Sequence, residues 1–129
     1  MNKIIVEVSI GELLDKISIL EIKQGKIKDP EKLKFINNEH SILKSQLENN
    51  VKSDEKLDDL YQSLKEINAK LWVIEDDKRQ CEKDKDFGEK FIKLSRDVHF
   101  LNDDRAKIKL KINNHTGSVI KEIKEYTGY

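Results

Sequence analysis

Apolar residues recur along this chain at steps of three and four, the spacing that lays them on one face of an α-helix. In the first long run, Ile10, Leu13, Ile17, Leu20 and Ile27 form a seam with Gln24 in the same series, and Leu14, Ile19 and Ile22 widen it. A helix that is apolar on more than one side is usually enclosed by neighbours, so this one is expected at the centre of a bundle. Ser9 and Glu12 have the spacing of a capping box, with Val8 and Leu13 placed as a hydrophobic staple. Gly25, Asp29 and Pro30 close the run, because proline disfavours helix in the residue before it and suits the first turn of the next helix.

Asp29 is the expected cap of a second helix with the seam Leu33, Ile36, His40, Leu43 and Leu47. A polar turn follows, then a long heptad series through Leu57, Leu60, Leu64, Ile67, Leu71, Ile74, Lys78 and Cys81. Asp86 and Glu89 repeat the capping-box spacing before Phe91, Leu94, Val98, Leu101, Arg105, Ile108 and Ile112, and Gly117 is a natural C-terminal cap. The short link near residue 86 makes the last two helices antiparallel neighbours and brings Leu60 towards Ile112. The first eight residues, with Ile4, Val6 and Val8 alternating against Lys3, Ile5 and Glu7, read weakly as a short strand that either packs as an extended arm, the favoured reading because no other strand-like run exists, or pairs with the C-terminal tail or a second chain.

The expectation is therefore an all-α fold, an antiparallel helical bundle in a single domain over residues 1–129. An extended arm (1–8) leads into a short hairpin of helix 1 (about 10–26) and helix 2 (about 30–48). A long coiled-coil-like hairpin of helix 3 (about 54–84) and helix 4 (about 87–115) follows, then a tail (117–129) that either docks or adds one short helix.

Composition narrows the function classes. Charged residues make up 39% of the chain, but Lys plus Arg and Asp plus Glu both number 25, so no excess charge draws the whole protein to nucleic acid or an anionic membrane. No apolar run approaches the roughly 20 residues of a membrane span. The single cysteine, Cys81, forms no internal disulfide, and no secretory leader pattern is present, so a cytoplasmic location is expected. His40, His99 and His115 never fall four apart, so no metal site is expected, and no glycine-rich phosphate loop or cofactor motif occurs.

Folding helix 4 back on helix 3 gathers a mixed surface. Asn68, Trp72, Glu75 and Arg79 come from one helix, and His99, Asn102, Arg105 and Lys109 from the other, with Asn68 facing Asn102. Aromatic area beside directional donors and acceptors is what lines a ligand cleft. The plainer reading is that helices 1 and 2 lie on this face and satisfy its polar groups. Arg105 sits on the seam itself, where a guanidinium needs a partner, and Glu21 and Glu75 are the candidates. No catalytic acid, base and nucleophile assemble from these residues.

SIGELLDKI at residues 9–17, EIK at 21–23 and KDPEKL at 28–33 resemble the start of a family of short all-helical bacterial and phage proteins of unknown function. LWVIED at 71–76, FIKLSR at 91–96 and NDDRA at 102–106, with Lys109 and Asn113, are similar to later parts of the same family. The resemblance implies a compact helical fold and carries no activity. Two helical enzyme classes are excluded on residues. Helix 1 lacks the arginine a chorismate mutase-like bundle needs, and Glu122 and Glu125 lack the downstream Glu-x-x-Asp of a nucleotide pyrophosphohydrolase. The expected role is a non-enzymatic interaction module, a homodimer or the partner of another helical protein. The alternative is a binder of a phosphate- or sugar-bearing ligand on the mixed face.

Overall fold

The computed structural model describes residues 2–128, so Met1 of the arm and Tyr129 of the tail lie outside the described residues. Four helices follow one another: α1 (Ile10–Lys26), α2 (Pro30–Asn50), α3 (Glu55–Asp84) and α4 (Glu89–Thr116). The architecture is an all-α bundle with α3 and α4 as a long hairpin and α1 and α2 as a shorter one. Among the described residues there is no strand, and residues 3–8 belong to no helix and are exposed.

Side chains set most of the boundaries. Ser9 caps α1 by accepting from the Glu12 amide at 3.0 Å. Asp29 accepts from the Glu31 amide ahead of Pro30, and Asp54 accepts from the Leu57 amide at 2.7 Å. Gly117, at φ 67°, ends α4 in the left-handed conformation that glycine adopts without steric cost. At the start of α4 the structure departs from the capping box read at Asp86 and Glu89. Gly88 is the N-cap, and the Asp86 carboxylate instead accepts from the Gly88 amide at 3.1 Å, holding the turn rather than the helix. The described residues of the tail, 118–128, form no helix.

Helix α1 is central: it packs against all three other helices, whereas α2 packs along α1 alone. The core lies where α3 begins and α4 ends, and comprises Leu14, Leu57, Leu64 and Ile112, with Leu60, Tyr61 and Ile108 against it. Only Leu47 and Val51, at the end of α2, reach this cluster. No residue of α2 is buried, so the expectation that helices 1 and 2 together cover the long hairpin holds for α1 only. Past Asn68 on α3 and ahead of Ile112 on α4, the buried residues of the hairpin are Leu71 and Cys81.

Candidate functional site

The first turn of a helix carries amide donors with no partner inside the helix. In α1 these are met by side chains: Ile10 N–H donates to Ser118 Oγ at 3.1 Å, Gly11 N–H to Asn113 Oδ1 at 2.7 Å, and Glu12 N–H to Ser9 Oγ. Gly11 is required here for space. A Cβ at that position would sit 2.7 Å from the Lys109 carbonyl oxygen and 2.9 Å from Asn113 Oδ1. The close approach of α1 to α4 and the tail thus uses up the helix terminus as an anion site.

From that anchor a polar residue follows at every third position. Because three residues fall 60° short of a full turn, Glu12, Asp15, Ser18, Glu21 and Gln24 spiral round α1 and face α4, α3 and α2 in succession. Glu12 meets Lys109 of α4 at 2.5 Å; this charged partner takes the carboxylate that the capping box would have turned back to Ser9. Asp15, buried between α3 and α4, accepts from Arg105 Nε at 2.9 Å and from Arg105 Nη2, and also from Asn68 Nδ2 at 2.8 Å. Ser18 accepts from the same Asn68 amide at 2.8 Å and donates to the Asp15 carbonyl. Glu21 accepts from the Tyr61 hydroxyl, faces His40 Nε2 at 3.0 Å and pairs with Lys65 at 3.3 Å. Gln24 donates to Asn37 of α2 at 2.9 Å.

The electrostatics follow the geometry. Burial pushes the Asp15 carboxyl up, but bonds from Arg105 and Asn68 and the charges of Arg105 and Lys109 outweigh it and hold it below its ordinary value. The bond to Asp15 in turn raises Arg105 against the burial that lowers it. Glu21 repeats the pattern: burial raises it, and Tyr61, His40 and Lys65 bring it below the usual carboxylate range. Burial, and then Glu21, push the Tyr61 hydroxyl far up, so it stays protonated and donates. No buried side-chain nitrogen or oxygen among the described residues lacks a partner. A carboxylate locked by a two-pronged guanidinium is a clamp between helices, with its proton-accepting capacity already spent.

The eight residues singled out from the sequence divide. Asn68, Arg105 and Lys109 converge on Asp15, and the partner of Arg105 is Asp15 rather than Glu21 or Glu75. Asn68 therefore bonds into α1, while Asn102 accepts from Arg105 Nη1 at 3.4 Å. Trp72, half-buried, and Glu75 and Arg79, exposed, lie further along α3 than Asn68, the last α3 residue that bonds to α1. His99, Asn102, Arg105 and Lys109 line one side of a groove of about 1050 Å³, with Glu122, Lys124 and Tyr126 of the tail on the other. Lys109 also lies 3.9 Å from Glu122 across this groove. Among the described residues no group of three or more His, Cys, Asp or Glu is arranged to hold a metal ion, and no helix is long and apolar enough to cross a membrane.

Fold and site together define a small helical bundle clamped through a central helix. A family model described as a family of unknown function (DUF6165) matches residues 4–129, and the chain belongs to that family. Neither the curated proteins nor the solved structures give a match.

Proposed function

We propose that this chain is a non-enzymatic, self-associating interaction module that works in the cytoplasm. The observation supporting this is the apolar surface that the helical body leaves uncovered. Phe35 and Ile42 on α2 are 71% and 55% exposed, and Val73, Phe87 and Ile92 on the far part of the long hairpin are about half exposed. Phe35 and Ile42 lie seven residues apart, on one side of α2, and exposed apolar side chains that share a face are a feature of surfaces that meet other proteins. The fully satisfied clamp on α1 favours the same reading, since it makes the body rigid without offering a reactive group. Sedimentation velocity over a wide concentration range tests the proposal. The expected result is a species of twice the 15.1 kDa chain mass at micromolar concentration, and a monomer at every concentration would overturn it.

A second reading is favoured by one observation, the meeting of His99, Asn102, Arg105 and Lys109 in the groove against the tail. In that reading the groove takes a small phosphate- or sugar-bearing ligand. Thermal unfolding with a panel of nucleotides and sugar nucleotides tests it. A rise in melting temperature with one of them, lost in Lys109→Gln, is expected, and no rise with any member would count against it.

A further inference from the structure

Residues 2–8 stand apart from the rest of the molecule. Ile4, Ile5 and Val6 are 91%, 81% and 70% exposed, and none of residues 3–8 takes part in a backbone hydrogen bond among the described residues. Their β-branched side chains favour extended backbone, yet the described part of this protein contains no strand on which they could pair. An extended segment with a free row of amides and carbonyls needs a second strand from elsewhere.

The segment's own sequence supplies that strand. Resting on the self-association proposed above, we infer that residues 2–8 of two copies pair as an antiparallel two-stranded ribbon about a two-fold axis at Ile5. In this register Ile5 lies opposite the partner's Ile5, Ile4 opposite the partner's Val6, and Lys3 opposite the partner's Glu7, with each relation repeated by the symmetry. Two cross-strand ion pairs form on one face, and Ile4, Val6 and Val8 of both copies make a continuous apolar strip on the other. A parallel in-register pairing would set Lys3 on Lys3 and Glu7 on Glu7. An antiparallel pairing displaced by two residues would lose the opposition of Lys3 and Glu7. The charge pattern therefore selects one arrangement.

A bare two-stranded ribbon is only marginally stable, so its apolar strip needs cover. The tail offers it. Ser118 bonds to the Ile10 amide at 3.1 Å, so arm and tail leave the helical body at the same point. The tail then carries Val119 and Ile123, both almost wholly exposed. Arms from two copies and the apolar residues of the tails can thus gather at one root.

Charge reversal tests the pairing on the full chain, by sedimentation velocity with circular dichroism to confirm helicity. Lys3→Glu and Glu7→Lys should each raise the dimer dissociation constant about tenfold, because each puts like charges opposite one another twice. An equimolar mixture of the two variants should recover a tight heterodimer, and the double variant should recover the homodimer. Ile5→Cys should also cross-link between copies under mild oxidation, since the native Cys81 is buried. A dimer indifferent to both single reversals would overturn the arm pairing while leaving self-association intact, and a wild-type monomer would overturn both.

Discussion

Helices α1 and α2 are alike in length, at 17 and 21 residues, and each carries an apolar seam with a capped start, yet they end in opposite situations. Seven residues of α1 are buried, including the polar Asp15 and Ser18, and none of α2 is. The difference lies in the number of neighbours. Successive turns of α1 between them meet α4, α3 and α2, and its every-third polar series gives each neighbour a hydrogen-bonding partner. Two polar ties join α2 to the rest of the body, His40 to Glu21 and Asn37 to Gln24, and both end on α1. An amphipathic pattern thus states which face of a helix can be buried, while topology decides whether it is.

The sharpest way to break the contrast is to remove the carboxylate at the middle of α1. Asp15→Ala leaves the Arg105 guanidinium without its main partner and should cost about 3 kcal/mol in urea denaturation. Asp15→Asn, which keeps the shape, should cost less. Because the folded-state pKa of Asp15 is depressed, its contribution is fully present above the ordinary value of 3.8 and is lost as pH falls from there towards the folded value. The stability gap between wild type and Asp15→Asn should therefore be widest near neutrality and narrow below pH 3.8. Arg105, Asn68, Lys109 and Ser18 are the groups around Asp15, and Arg105, raised, stays charged throughout.

Next in size is the approach of α1 to α4. Gly11→Ala forces a methyl group against the Lys109 backbone and the Asn113 side chain. The backbone has to move, and a loss of about 1–3 kcal/mol is expected in the same denaturation experiment. A change below a few tenths of a kcal/mol would mean that α1 can slide on α4, contrary to the amide bond from Gly11 to Asn113.

Much of this was legible in the sequence, and the rest was hidden for identifiable reasons. The heptad series of the long helices, the caps at Ser9 and Asp29, and the central place of the first helix all follow from local pattern. Arg105 stood out because a guanidinium on a seam needs a partner. Its partner did not, because Asp15 reads locally as an ordinary polar interruption of α1, and only the crossing of α1 over the hairpin brings it to Arg105. A charged residue inside an unusually wide apolar helix was the available signal. The isolation of α2 was not legible at all, since its seam at Leu33, Ile36, Leu43 and Leu47 looks like that of a helix with two neighbours. Three of the eight candidate residues, Trp72, Glu75 and Arg79, stayed outside the clamp because they lie further along α3 than Asn68, the last α3 residue that bonds to α1.

A smaller effect is expected where α1 holds α2. Glu21 joins His40 of α2 to Tyr61 and Lys65 of α3, so Glu21→Gln should cost about 1 kcal/mol. It should also speed hydrogen exchange in α2 more than in α1. The reason is that α2 can open locally while α1 is released only by global unfolding. Equal acceleration in both helices would remove the distinction between them.

The smallest effect is also the most informative about the surface. Phe35 and Ile42 are seven residues apart on α2, which places them nearly in line on the face turned away from α1. Both are more than half exposed, so replacing them with serine removes little buried area from the isolated chain. The stability of a monomeric, dilute sample of Phe35→Ser/Ile42→Ser should stay within about 0.5 kcal/mol of wild type. If association runs through the arms, the dimer constant should be equally unmoved, because residues 2–8 leave the body beside Ser118 rather than beside α2. A weaker dimer with unchanged monomer stability would instead make α2 the covered face, and would explain why a capped helix with a regular seam buries nothing within its own chain.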